Sequence, residues 1–427
     1  MAHKLFGERV ANWALFCQTM NWFQFYCLVR PFTNCLEAML TSVALMLWSW
    51  DDEPGHASQR SRRGSFFAAA LAVAIRPTSL LLWIFLGFGL LLRRSQPYKL
   101  ILGEIIPIGL VVLCVSTFVD FIFYGRWTFV PLNFLLFNSS GLASIYGSQP
   151  FHWYFTAGFP AMALTMVPLQ ILGVMCSRRR ELGWAVCLVL ASFSLIDHKE
   201  FRFVLPCLAP MMAYAGVGLV NIDKAVQYIK PLSKSRRKSR PIEGAVRKGL
   251  AFFLIASNAP LAIYLSCFHQ TGPELVTSYL ADPSNLHTPE PVIEFLTPCH
   301  STPFYSHVHR NISMRFLDCS PPLKGKAEGV WLGERYMDEA DRFYAAPEIF
   351  MQNAFGFDIK NPPGVQPQWA AEPSRAKPTH IVCYNALARR LGDVLTDNGY
   401  RECNRWPNAH FSLDDRVSEE MLLYCRT

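Results

Sequence analysis

Apolar residues fill the first two-thirds of the 427-residue chain with few charges among them, and the last third returns to ordinary polar, proline-rich sequence. The apolar runs predict helices at about 11–29, 36–50, 65–75, 80–92, 100–124, 152–175, 183–196, 203–220 and 249–267. A helix needs about 20 residues to cross a bilayer core, so several of these runs are short. Pro77 lacks a helix donor and biases Arg76 toward extended backbone, so the run 65–92 is expected to break there. The pattern predicts a multi-pass α-helical membrane module over 1–267, of about eight or nine spans or half-spans. A soluble domain is expected over 268–427.

Charge orients the module. Basic connectors lie at Arg60, Arg62 and Arg63, at Arg93, Arg94 and Lys99, at Arg178 to Arg180, and over 224–248, densest at 230–240. The positive-inside rule puts all four on the cytosolic side. The first two then share a side only if 65–92 crosses an even number of times, as a hairpin. The opposite face receives the turn Arg76-Pro77-Thr78, the loop 125–152, the turn 197–202 and everything after about 268. Two glycosylation triplets, at Asn138 and Asn311, fall on that face.

Composition narrows the partners. The net charge of +8 sits between apolar runs, the pattern of membrane orientation and not of a nucleic-acid face. Membrane lipids are the expected surroundings. Thirteen cysteines include five in the tail, Cys299, Cys319, Cys383, Cys403 and Cys425, and none has C-x-x-C spacing. No metal site is expected, whereas an oxidising compartment would allow one or two disulfides in the tail. Met1 to Arg9 is short and polar and no small-residue cleavage site follows, so targeting is expected to rest on the spans themselves.

The chemistry concentrates in Asp197-His198-Lys199-Glu200-Phe201-Arg202-Phe203, a charged run between apolar segments. Ionisable groups at such a place must pair or face a polar cavity. One reading is a hairpin tip with a Glu200–Arg202 pair and Lys199 snorkelling to the interface. The other is an anion site in which Lys199 and Arg202 meet a phosphate while His198 or Glu200 handles a proton. Arg76 is a second candidate for the phosphate, with snorkelling as the plain alternative. His152, Trp153 and Tyr154 line a sugar or lipid path or else form an interfacial aromatic belt. Asp120, near a span end, either pairs with Arg126 or contacts the substrate.

The run His198-Lys-Glu-Phe-Arg-Phe-x-x-Pro206 resembles the signature of glycosyltransferase family 22, the dolichol-phosphate-mannose-dependent mannosyltransferases of the endoplasmic reticulum. Asp120 to Thr128, Asn133 to Asn138 and Tyr146 to Tyr154 are similar to that family's luminal loop, with Phe151 where a tryptophan is common. Arg30-Pro-Phe-Thr-Asn34 with Glu37, the tail stretches Pro298–Ser306 and Arg315–Pro322, and Asp338–Tyr344 look like the branch that adds the third mannose of glycosylphosphatidylinositol (GPI) anchors. Pro31 departs from that branch's pattern.

The resemblance implies a GT-C-type helical bundle with a C-terminal luminal domain, in the reticulum membrane. It implies transfer of mannose from dolichol-phosphate-mannose to a GPI precursor in α-1,2 linkage, with no cofactor and no metal. His198, Lys199, Glu200, Arg202 and Arg76 would bind the donor phosphate or the substrate, with Lys199 and Arg202 on the phosphate. In the family an acidic luminal loop ahead of the region where this chain opens supplies the proposed catalytic carboxylate. That loop is not found here, so the catalytic base is left unassigned and residues 1–427 alone are expected to transfer no mannose. Two alternatives stand beside this reading: a sister mannosyltransferase on lipid-linked oligosaccharide or the fourth GPI mannose, and an inactive form.

Overall fold

A computed structural model describes residues 1–50, 56–139, 147–229, 240–286, 288–320, 330–332, 335–360, 375–412 and 414–427. The chain divides into two compact units, Met1–Ala262 and Ile263–Thr427. The densest basic stretch, 230–239, lies outside the described residues, as does Ser140 of the first glycosylation triplet.

Unit 1 is helical. Helices α1 (Glu8–Met20), α2 (Trp22–Cys27), α3 (Thr33–Leu47), α4 (His56–Ile75), α5 (Leu80–Leu92) and α6 (Ile106–Tyr124) come first. Then follow α7 (Val130–Ser139), α8 (Phe159–Ala163), α9 (Val167–Cys176), α10 (Glu181–Ser194), α11 (Leu208–Ile229) and α12 (Arg240–Cys267), the last of which runs across the unit boundary. Among the described residues the runs Pro97–Tyr124, Tyr154–Cys176, Phe201–Ile222 and Gly244–Ala281 are long and apolar enough to cross a membrane. Thr33–Leu47, Pro77–Leu92 and Glu181–Ser194 are shorter apolar helices.

The expected break at Arg76–Pro77 is present: α4 stops at Ile75, and Arg76 is extended at φ −140°, ψ 105°. Three expectations need correction. The arginine-rich stretch 60–63, read as a connector, is helical within α4, because Arg62 donates to both Glu104 oxygens at 2.7 and 3.0 Å. The run 11–29 is two helices, not one. Asn21 is extended there, fully buried, accepts from the Gln24 N–H at 3.0 Å and donates to the Met162 carbonyl at 2.9 Å. The run 152–175 is likewise interrupted, with Leu164 in the left-handed region at φ 49°.

The two interruptions meet. Trp22 Nε1 donates to the Ala161 carbonyl at 3.0 Å, and the Trp22 N–H faces Asn258 Oδ1 at 3.4 Å. Asn258 Nδ2 reaches Thr165 Oγ1 at 2.9 Å. Backbone freed from a helix inside a bilayer must find protein partners, and these buried amides supply them. Elsewhere the helices pack through small residues: a side chain at Gly173 or Gly218 would collide with backbone of Tyr214 or Leu169 between α9 and α11.

Unit 2 carries a five-stranded mixed sheet. Its elements are α13 (Gly272–Ala281), β1 (Val292–Leu296), β2 (Ser313–Phe316), α14 (Glu339–Ala345), α15 (Pro347–Phe355), β3 (His380–Tyr384), α16 (Asn385–Asp397), β4 (Tyr400–Pro407) and β5 (Glu420–Arg426). Strand order is β2-β1-β3-β5-β4, with β2, β1 and β3 parallel and β5 antiparallel to both β3 and β4. β3 is buried at every position, as expected of a central strand covered on both faces. Two disulfides, Cys299–Cys319 and Cys403–Cys425, brace this unit, and Cys383 is a free, buried thiol that burial pushes up to about 12.

Candidate functional site

The charged run 197–203 does not stand alone. It is sewn to the loop 147–150 by three hydrogen bonds: Gln149 N–H to the Asp197 carbonyl at 3.0 Å, Lys199 Nζ to the Gln149 carbonyl at 2.8 Å, and His198 Nδ1 to the Gly147 carbonyl at 2.9 Å. Gly147 has φ 99°, which a residue with a side chain adopts only under strain. From below, the buried Tyr154 hydroxyl donates to the Glu200 carbonyl at 3.0 Å and accepts from the Glu200 N–H at 3.2 Å. Trp153 and Phe23 pack on Phe201, with ring centroids 4.9 and 6.2 Å away.

This frame fixes the Glu200 carboxylate as a hub. Arg202 Nη2 donates to Oε1 at 2.9 Å, Arg202 Nε pairs closely with Oε2, and His198 Nε2 lies 2.9 Å from Oε1. Both nitrogens of His198 therefore face acceptors. The Arg202 guanidinium lies over the Phe32 ring at 5.6 Å and stays partly open to solvent.

Arg76 joins from α4's end. Its guanidinium stands over the Phe203 ring at 5.3 Å, and its Nε lies 3.3 Å from Glu37 Oε2. The pair is close but misaligned: neither atom makes a hydrogen bond to a described residue. Its other contact, from Nη1 to Asn34 Oδ1, is long at 3.5 Å. Arg76 thus turns inward to Glu37 and does not snorkel. The site assembles Arg76, Arg202 and His198 around two carboxylates, with most of the Arg76 donors making no hydrogen bond to a described residue. A phosphate suits that surplus of cationic donors.

Several expected roles change. Lys199 is 6% exposed, and its ammonium already donates to the carbonyls of Gln149 and of Ile196, the latter at 2.6 Å. Burial holds it below the ordinary lysine range, against the pull of Asp197. It is a latch between loops and not an open phosphate ligand. Tyr154, expected along a sugar path, is a buried strut. His152 is exposed, with Nδ1 3.0 Å from the Thr156 hydroxyl. Asp120 makes no pair with Arg126 or any other described residue, and it stays outside the cluster. Asn138 sits in α7 and donates to the Phe134 carbonyl at 2.8 Å, while Asn311 is exposed. Among the described residues the metal-capable group Cys299, His300 and Cys319 has its sulfurs joined as a disulfide, which leaves no ligand set for an ion.

The sequence reading missed the stitch. The Gly147 and Gln149 carbonyls carry no side-chain signal, and only the charged run's need for partners pointed toward them.

Known proteins fit this geometry. The model of the Alg9-like mannosyltransferase family matches residues 1–309. The chain is 37% identical to the mannosyltransferase APTG1 of Arabidopsis thaliana, covering 99% of this chain and 74% of that protein. It is 33% identical to GPI alpha-1,2-mannosyltransferase 3 of Homo sapiens, covering 99% and 68%. Among solved structures it is similar to ArnT from Cupriavidus metallidurans, in the apo state at TM-score 0.53 and 11% identity and bound to undecaprenyl phosphate at 0.51 and 12%. Each ArnT match covers 100% of this chain and 80% of the other. At that identity the likeness speaks for the fold alone, a GT-C-type helical bundle.

Proposed function

The chain belongs to the Alg9-like mannosyltransferase family, and from that premise we propose that it transfers mannose from dolichol-phosphate-mannose to a GPI-anchor precursor. The product is the third mannose, in α-1,2 linkage. The protein resides in the endoplasmic reticulum membrane, with the run 197–203 and unit 2 on the luminal side. The two tail disulfides support that side, since such bonds persist in an oxidising compartment.

One observation carries the reading. The Arg76–Arg202–His198 cluster offers more cationic donors than its two carboxylates use, at the end of apolar helices where a lipid-borne phosphate would arrive. Inversion from a β-linked donor to an α product needs the leaving phosphate stabilised as charge builds on it. Arg202 and Arg76 supply that field, and His198, clamped between Gly147 and Glu200, holds a third positive group in register. Glu200 is the orienter of this set: it fixes Arg202 and His198. Lys199 keeps the two loops together so that the cluster exists at all. The general base is not among the residues assigned.

The test is transfer by the full protein in membranes, supplied with dolichol-linked radiolabelled mannose and a synthetic acceptor bearing two mannoses. The expected product is released by an α-1,2-specific mannosidase. A product resistant to that enzyme, or labelled equally well from a nucleotide sugar when dolichol-phosphate-mannose is withheld, would refute the proposal.

A further inference from the structure

The tail stretches beginning at Pro298, Arg315 and Asp338 take no part in the phosphate site, yet unit 2 gathers all three. Residues 298–306 leave the carboxyl end of β1, and 315–320 run out of β2. The Cys299–Cys319 disulfide ties these two together. Asp318 N–H donates to Glu339 Oε2 at 2.6 Å, and the Tyr344 hydroxyl donates to the Leu296 carbonyl at 3.2 Å, so α14 is bound to the same edge.

This edge is where a parallel sheet takes ligands. From β1 the chain goes to β2 on one side and later to β3 on the other, and crevices form beyond the carboxyl ends at such a reversal. A cavity of about 130 Å³ opens there, lined by Thr297, His300, Ser301 and Thr302, with Phe304 and Phe316 among its walls. Thr297 is only 3% exposed. The side chains of Thr297, His300 and Thr302 have no hydrogen-bond partner among the described residues. Ser301 Oγ donates to the Pro298 carbonyl at 2.6 Å and keeps acceptor capacity. Among the described residues no lysine, arginine, aspartate or glutamate lines the cavity.

We propose that this cavity binds one neutral sugar ring of the lipid-linked acceptor and so sets which glycan the enzyme extends. The inference rests on the acceptor assigned above. An anionic ligand would find no cation among the described lining residues, and a wholly apolar one would leave the Thr297 hydroxyl without a partner. A sugar ring carries hydroxyls that match the free donors and acceptors, and a C–H face that suits the Phe316 ring, 46% exposed at the mouth. Buried hydroxyls built to pair with substrate hydroxyls discriminate strongly against ligands that lack them.

The experiment uses the full chain in nanodiscs, comparing wild type with Thr297→Val, which keeps shape and removes the hydroxyl, and with His300→Ala. Donor and acceptor are varied separately, and binding of an α-linked mannose disaccharide is followed by saturation-transfer NMR. We expect the acceptor KM to rise about tenfold in each variant. The disaccharide signal should be lost, with the donor KM and the melting temperature unchanged. Wild-type transfer with unaltered acceptor KM and disaccharide signal in both variants would overturn the inference while leaving the proposed function intact. A donor KM that rises in parallel would overturn it too. Failure of the wild type to use the acceptor, with Thr297-dependent disaccharide binding kept, would refute the assigned acceptor and support the sugar site.

Discussion

The two units each hold a cluster of charges, and they settle it in opposite ways. Beside the charged run of unit 1, Arg76, Arg202 and His198 outnumber Glu37 and Glu200, and the Arg202 guanidinium remains partly open. Inside unit 2, Arg375 pairs closely with Glu339 and lies 4.0 Å from Glu294, all three deeply buried, while Arg315 faces Glu294 from the neighbouring strand. That cluster is sealed. Burial pushes the Glu294 carboxyl up to about 7, with Arg315 and Arg375 opposing the shift and Glu339 adding to it. In unit 2 the buried charges pair among themselves, whereas in unit 1 the partly open Arg202 can meet an anion from outside. Accessibility, more than charge count, separates a site from a scaffold.

The comparison breaks most visibly at Arg375. Removing one partner of a buried ion pair leaves the other uncompensated, so Arg375→Ala should destabilise unit 2 by about 3–5 kcal/mol. Hydrogen exchange at the β1 and β3 amides should read this as lost protection, and unchanged exchange would show the cluster to be dispensable. Arg202→Ala should leave the fold in place and cut mannose transfer by about 10²–10³-fold, as losing one donor to a developing oxyanion does. Arg202→Lys, which keeps the charge but loses the fork, should recover only part of it. Normal transfer by Arg202→Ala would reduce the unit 1 cluster to scaffold as well.

The smallest effect is the subtlest. Glu294 binds its proton more tightly folded, near 7, than unfolded, near 4.5. Between those values the folded state carries the extra proton, so stability is greatest below the lower one and falls as pH rises through the higher. The total is on the order of 3 kcal/mol at most, and Glu294→Gln should flatten that slope. A slope unchanged by the substitution would assign the titration to another group.

Much of the membrane module was legible because bilayers impose a simple rule on apolar length. The break after Ile75 was readable for a local reason, Pro77. The break at Asn21 was not, since nothing beside it forbids a helix, and its partner Met162 lies 141 positions away. The same distance effect governed the site. The run 197–203 announced a charged cluster, but the fate of Lys199 was decided by a carbonyl 50 positions earlier. Likewise, the arginines at 60–63 read as a loop until Glu104 of a later helix gave Arg62 a partner. Cysteine count allowed two bridges in the tail, and only the packing of β1 against β2 and of β4 against β5 selected the pairs.

The knot at Asn21 also sets a schedule. Trp22 and Asn258 stand 236 positions apart, so at about 5–20 residues per second the ribosome needs roughly 12–47 s to make the second after the first. During that interval the interruption at Asn21 waits for α12, with Met162 arriving part-way. The segment around Asn21 is thus completed only once a helix 236 positions later has been made, and that helix checks its quality.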